Sequence, residues 1–444
     1  MGSLWTEVGL LKDDRNLTPD AYTTRSVIAR FIADRPVASR TEIVSFTGLA
    51  RSTVDKHLAA LTASGLVDDA GQARRDQRGR PAQYFTISTG KGVLLIADVS
   101  AHVTRLALAT LNKNMVASRE VALDVTLGPE QVLTTVCGAF TELLDQHGLS
   151  AADALAVSVG LPGPVDSHQG FAVRPPMMPG WDGFDVCGYM ADRFRCDVVV
   201  DNDVNLMALG EARALKGEHL PLLMITVGTG IGGGFVSESG LLLHGADGAA
   251  TEIGHTPVPD KEDVMCRCGR HGCLESVASV GAMAARLSAA RRGEVSTDEL
   301  FDSLKRGDAT TVNIVRDAGL LIGNVVADLV NFCNPSRIVV GGAITHCSED
   351  VLAQIRSVVY QRSQPLATRN LSLVHSSLGS DAGLIGGMIS VIEQVLSPRG
   401  IQFHTQGPGN DLQPLGLRSG RTPPNVRRHS PTADTNGRVP ARGR

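Results

Sequence analysis

At 444 residues, 43% hydrophobic and 20% charged, the chain is too long for a single core and predicts about two to four soluble domains. A net charge of −4 excludes whole-protein attraction to nucleic acid, so any such contact must come from a local basic patch. No basic stretch followed by an apolar run opens the sequence, and no uncharged apolar segment approaches bilayer length. Neither a signal peptide nor a membrane partner is therefore expected. Of eight cysteines, five (Cys137, Cys187, Cys196, Cys333, Cys347) stand singly and three cluster, which fits a reducing cytoplasm with one metal site.

Residues 1–20 are weakly patterned and read as a short arm. A helical period starts at Thr23, with Val27, Ile28, Phe31 and Ile32 on one face, and a second helix follows the Ser39-x-x-Glu42 capping box. Gly48 suits a tight turn into a third helix whose buried stripe is Val54, Leu58 and Leu61. The opposite face offers Arg51, Ser52, Thr53, Lys56 and His57. Two extended segments then flank Q-A-R-R-D-Q-R-G-R-P-A, which carries Arg74, Arg75, Arg78 and Arg80. Three helices and a basic hairpin over 21–89 describe an α+β winged helix-turn-helix. In that geometry the third helix reads the major groove of operator DNA and the wing follows phosphates.

From Gly90 the pattern becomes α/β. Strands are predicted at V-L-L-I-A-D-V-S, R-L-A-L-A-T-L-N, 154–159, 198–200, 222–227, 337–340 and near 371–375. Helices are predicted near 129–148, 206–215, 277–291, 310–332, 349–362 and 381–396. Loops rich in Gly and Pro follow several strands, among them G-L-P-G-P-V-D and G-T-G-I-G-G-G, where backbone can approach a ligand closely. Residues 397–444 hold eight Arg against two Asp, with abundant Pro, Gly and Ser, and read as a disordered basic tail.

The densest chemistry lies between Glu252 and Glu275, where His255, Cys266, Cys268 and Cys273 stand together. Thiolate sulfur and imidazole nitrogen are the donors that tetrahedral Zn²⁺ prefers, and a closed set of four marks a structural ion. Gly269 and Gly272 let the backbone double back so that the sulfurs converge.

These motifs together resemble the ROK family of repressors, open reading frames and sugar kinases, in its repressor branch. The resemblance spans about residues 23–396. It rests on the helix-turn-helix with G-R-P at 79–81, L-P-G-P-V-D at 161–166 and D-N-D-V-N-L-M-A-L-G-E at 201–211. It rests also on V-G-T-G-I-G-G-G at 227–234, E-I-G-H at 252–255 and C-R-C-G-R-H-G-C-L-E at 266–275. The resemblance implies an actin-like (ribonuclease H-like) ATPase domain over 90–396, with lobes of about 90–200 and 201–380, a C-terminal helix at 381–396, and a sugar cleft between the lobes. It implies that Asn202 and Asp203 bond sugar hydroxyls, that Asp203 would be the general base in a kinase, and that Gly163 lies in a closing loop. Glu252, His255 and Glu275 would contact hydroxyls near the anomeric end, with His255 also on zinc. Family kinases carry D-x-G-G-T after the first strand, whereas D-V-S-A-H-V-T stands here from Asp98 to Thr104. Cβ atoms at Ser100, Ala101 and His102 crowd the phosphate path, so kinase activity is not expected.

The expected function is therefore a cytoplasmic regulator that binds a palindromic operator as a homodimer or homotetramer and answers to a sugar or sugar phosphate. The alternatives are an active ATP-dependent sugar kinase with a fused DNA-binding domain, and a regulator controlled by a docking protein.

Overall fold

The computed structural model describes residues 9–10, 20–72 and 82–406. Helix α1 (Ala21–Ala33) starts under the Asp20 side chain, which accepts from the Thr23 amide. After β1 (Ala38–Ser39), α2 (Arg40–Thr47) opens on the reciprocal Ser39–Glu42 capping box and stops at Gly48, whose φ of 68° ends the helix. Helix α3 (Arg51–Ala63) leads into β2 (Val67–Gln72) and β3 (Gln83–Ile87), and β3 pairs antiparallel with both β2 and β1. Ile28, Ile32, Ile43, Val54, Leu58, Leu61 and Ile87 close this unit's core. Each of them stabilises it by roughly 1.5–3 kcal/mol of apolar burial.

Two larger sheets follow. The first runs β10-β7-β4-β5-β6, built from β4 (Val93–Val99), β5 (Val103–Ala109), β6 (Met115–Ala122), β7 (Ala154–Leu161) and β10 (Asp197–Asn202). Its central strands β4 and β7 are buried end to end, as a sheet covered on both faces requires. Helices α4 (Pro129–Gln146) and α5 (Val186–Phe194) cover one face, and the short hairpin β8 (Val165–Asp166) and β9 (Phe171–Ala172) lies at its edge.

The second sheet runs β12-β11-β13-β14, from β11 (Leu222–Val227), β12 (Ile231–Val236), β13 (Arg337–Gly341) and β14 (Ser372–His375). On its outer face lie α7 (Leu274–Ala278), α8 (Val280–Arg291), α9 (Thr297–Lys305), α10 (Ala309–Cys333), α11 (Asp350–Arg362) and the short α12 (Pro365–Thr368). The single helix expected over 277–291 is thus two, because Ser279 at ψ 165° breaks the chain and caps α8. Among the described residues no helix is long and apolar enough to cross a membrane.

Helix α6 (Asp203–Ala214) sits between the sheets. Val204, Ala208 and Ala212 face β11 and β12, while Gly210 meets α13 (Ala382–Val395), which covers the open face of the first sheet. The C-terminal helix thus returns to the first sheet.

Helix α14 (Pro398–Gln406) corrects the expectation of disorder from residue 397. Composition averaged over the whole tail hid a short helix that buries Ile401 and packs on α1 and α3. Residues 407–444 lie outside the described residues. Ser26 Oγ donates to Leu396 O at 2.5 Å, Arg30 to Glu393 O at 3.2 Å, and Gln406 bonds the Tyr22 hydroxyl. Lys113, 4% exposed, reaches Asp34 at 3.2 Å from the β5–β6 turn. In the arm, the Gly9 amide donates to Arg213 O and that of Leu10 to Asp34. The N-terminal unit is therefore docked on the first sheet and the two C-terminal helices.

Candidate functional site

The D-N-D-V-N segment carries the chain from β10 into α6, and its side chains are spent locally. Asn202, not Asp203, caps α6: its Oδ1 accepts from the amides of Val204 and Asn205 at 2.9 and 3.1 Å. Its Nδ2 donates to Gly163 O at 2.9 Å, tying the L-P-G-P loop to the head of the helix. Asp203 occupies the first helical position, half-buried, and burial together with the charges of Asp98 and Glu252 holds its carboxyl well above the usual range. The helix read from sequence as starting at Leu206 thus starts at Asp203.

Across the cleft, Glu252 lines a pocket with Asn202, Asn205, Gly233, Ala250 and Thr251. Burial and the neighbouring Glu275 push its carboxyl up to about 7. Glu275 accepts from the Ile231 amide at 3.2 Å, and a Cβ on Gly230 would fall 2.5 Å from its Oε2. A side chain at 230 would therefore displace the Glu275 carboxylate from the β11–β12 turn. Gly163, Asn202, Asp203, Glu252 and Glu275 gather around one cleft.

His255 ends a 3₁₀ turn at Ile253–His255. The loop beyond it folds back through Val258 N to Gly272 O at 2.7 Å and Leu274 N to Thr256 O at 2.9 Å. That return brings one donor atom each of His255, Cys266, Cys268 and Cys273 within 4.8 Å of one another. The Cys268–Cys273 sulfur separation is 3.7 Å, and His255 Nδ1 lies 3.8 Å from Cys266 Sγ. Tetrahedral arms of about 2.3 Å give edges of about 3.8 Å, so the cluster has the shape of a four-coordinate metal site.

Asp201 and His244 are functional candidates that sequence reasoning passed over. Asp201 is 5% exposed; it accepts from Asn205 Nδ2 at 2.9 Å and pairs with His244 Nε2 at 2.7 Å. The pair joins β10 of the first sheet to the loop after β12 of the second. Asn205 was visible as the last letter of D-N-D-V-N, but nothing local marks His244. The hydrogen bond to Asp201 raises the His244 pKa against the opposing pull of burial. A raised folded-state pKa contributes stability that is full below the ordinary histidine value and is lost as pH rises through the folded one. His244→Gln should therefore cost roughly 1 kcal/mol at pH 5.5 and close to nothing well above the folded-state pKa in urea unfolding. An equal cost on both sides of the titration would refute the pairing.

In α3, Arg51, Ser52 and Lys56 are exposed and Thr53 half-buried. His57, placed by the sequence on the same outward face, is instead 8% exposed with a buried, unpartnered Nδ1. Burial, then the charges of Arg25 and Lys56, lowers its pKa, so it belongs to the packing of α3 and not to an outer surface. Arg74, Arg75, Arg78 and Arg80 lie outside the described residues.

A β/α core of two sheets with a cleft beside a shared helix, preceded by a small unit of helices and a three-stranded sheet, defines a two-domain protein with a sugar-kinase-like core. Residues 95–394 match the ROK family model, and the chain belongs to the ROK family. It is 30% identical over 305 residues to a glucokinase of Halalkalibacterium halodurans, covering 65% of this chain and 92% of that one. It is 24% identical over 385 residues to a xylose repressor of Caldicellulosiruptor bescii, covering 84% and 96%. The fold is similar to that of a ROK family transcriptional regulator homologous to the Escherichia coli Mlc protein, at TM-score 0.74 and 22% identity over 87% of this chain and 99% of that one. A Streptomyces griseus ROK glucokinase with glucose and AMPPNP matches at TM-score 0.57 and 27% identity, over 67% of this chain and 98% of that one.

Proposed function

We propose that the protein is a sugar-responsive, DNA-binding transcriptional regulator of carbohydrate metabolism, acting as a homo-oligomer. The observation that carries this reading is the N-terminal unit. The xylose repressor match covers 84% of the chain, whereas the glucokinase match covers 65%. In that reading α1–α3 with the β2–β3 hairpin form a winged helix-turn-helix, and Arg51, Ser52 and Lys56 face the major groove. The core is the actin-like domain, with a sugar held by Asn202, Asp203, Glu252, His255 and Glu275. Zinc suits the donor set of His255, Cys266, Cys268 and Cys273, whose closed fourfold arrangement gives it a structural role that holds Glu252 and Glu275 in place.

Lack of kinase activity is part of the same proposal. The Ser100 amide donates to Val103 O at 2.9 Å, and Ala101 O and His102 O accept from Val125 and Leu123. His102 itself turns outward to Asp124 at 3.5 Å. The committed Ser100 amide and the Cβ atoms at Ser100, Ala101 and His102 support a turn that receives phosphate oxygens less well than a Gly-Gly pair would. The rival kinase reading is favoured by the 30% identity to a glucokinase, by the glycine loop at 228–234 and by the raised pKa of Asp203, which suits a general base.

Two measurements test the proposal. The purified protein should select a palindromic duplex from a random pool, and Arg51→Ala should cost about 1–3 kcal/mol on that site with relaxed base preference. Incubation with ATP and a panel of hexoses should yield no ADP. Turnover at about 1 s⁻¹ or faster would reinstate the kinase, and failure to select any DNA would remove the regulator.

A further inference from the structure

The segment that delivers Glu252 to the cleft carries a strained residue. Thr251 holds φ at 69°, in the left-handed region, and among the described non-glycine residues with positive φ it alone is β-branched. Branching at Cβ makes that region costly, and such outliers persist only where their surroundings over-determine them. Arg195, Arg292 and Asn334 share the conformation, but each ends a helix, where it is ordinary. Thr251 ends no helix. It precedes the 3₁₀ turn at Ile253–His255 and lines the pocket beside Glu252, Asn202 and Asn205.

Strand β12 is what holds it. Thr251 Oγ1 donates to Gly233 O at 3.0 Å and also reaches Ala250 O. A Cβ on Gly233 would fall 2.8 Å from Thr251 O, so the two backbones meet with no room for a side chain. A Cβ on the next residue, Gly234, would fall 2.7 Å from Val204 O in the first turn of α6. Successive residues of a strand point to opposite faces, so β12 is pressed between α6 and Thr251. The stretch is tied on either side as well: the Ala250 amide donates to His244 O at 3.1 Å, and that of Ile253 to Thr251 O at 2.7 Å. A relaxed Thr251 would lift off β12 and carry Glu252 with it. Glycine would take this φ without strain but would lose the Oγ1 bond.

We infer that Thr251 is the positioning residue for Glu252: its hydroxyl, clamped on Gly233 of β12, fixes the backbone from which the Glu252 carboxylate enters the cleft. This rests on the cleft being a sugar site, as proposed above. Stability is given up at residue 251 so that the carboxylate is already set when the ligand arrives.

Calorimetry and urea unfolding of the full-length zinc-loaded protein test this on wild type, Thr251→Gly and Thr251→Ser, with D-glucose, D-xylose and N-acetyl-D-mannosamine as probes. Thr251→Gly should unfold at the wild-type urea midpoint or above it, because the strain is gone, and should bind its sugar about tenfold or more weakly. Thr251→Ser keeps the hydroxyl and should bind within about threefold of wild type. A residue that only packs would lose stability and affinity together. Thr251→Gly with wild-type affinity, or with a lower urea midpoint, would overturn the inference while leaving the sugar site standing. Equal losses of affinity in the serine and glycine variants would overturn the role given to the hydroxyl. Binding of none of the three sugars by wild type would remove the sugar site and the inference together.

Discussion

Replacing Cys273 with serine is expected to lower stability by at least about 3 kcal/mol and to abolish sugar binding together with it. The reason lies in what the metal loop holds. Cys273 immediately precedes α7, the helix that carries Glu275 in its first turn, and Glu275 is the carboxylate seated on the β11–β12 turn. At the other end of the loop, His255 follows Glu252 by one helical turn. A zinc ion joining His255 to Cys273 would fix the spacing of the two glutamates, and its loss would leave a doubled-back loop without a brace. Burial, with the neighbouring thiols, pushes Cys273 up to about 12, so a cation must displace its proton and metal affinity should fall as pH falls. Thermal unfolding with zinc content by mass spectrometry checks this, and chelated wild type should resemble Cys273→Ser. A wild-type protein that holds no metal and matches the variant in both readouts would refute it.

Gly386→Ala should cost about 3 kcal/mol or more, a larger effect than an ordinary overpacking substitution. A Cβ there would fall 1.7 Å from Leu206 O, which is backbone and cannot rotate away. Gly210 makes the reciprocal approach, its Cβ position 2.6 Å from Ala382 O. The two helices therefore cross at van der Waals contact of their backbones, and one methyl group forces them apart. This crossing matters beyond stability. Helix α6 begins at Asn202 and Asp203 in the cleft, and near its end Arg213 pairs with Glu393 of α13 at 2.8 Å. Glu393 O and Leu396 O in turn hold α1. Spreading the helices should loosen the N-terminal unit as well as the cleft, and limited proteolysis beside chemical denaturation would report both. A stable Gly386→Ala protein with native protease resistance would contradict the close crossing.

Glu211 shows why this region is buried polar and still ordered. At 2% exposure it accepts from the hydroxyls of Ser376 and Ser377 and from the Leu378 amide, which satisfies the carboxylate and fixes the approach to α13. G-E at 210–211 is plain in the sequence, but its partners lie more than 160 residues away.

Local signals were legible because their physics is local. The Ser39–Glu42 capping box, the Gly48 stop, the alternation of strands and the C-x-C-x₄-C spacing each act over a few residues, and each stands in the structure as read. What failed to read locally depended on distant neighbours. His57 sits in a helical pattern that leaves either face open, and the packing of α3 on α1 turned it inward. Nine residues after Ser397 formed a helix because α1 and α3 offer it an apolar surface. Asp98 reads as the first letter of a lost phosphate loop, while its burial between Gly160 and Gly383 brings together three segments far apart in the chain. The sequence by itself determined the kinds of element, the set of candidate metal donors and the S-A-H run that follows Asp98 and Val99. Only the tertiary structure decided which carboxylates crowd one cleft and which helices tie it to the N-terminal unit, because burial and charge coupling act between residues that only folding brings together.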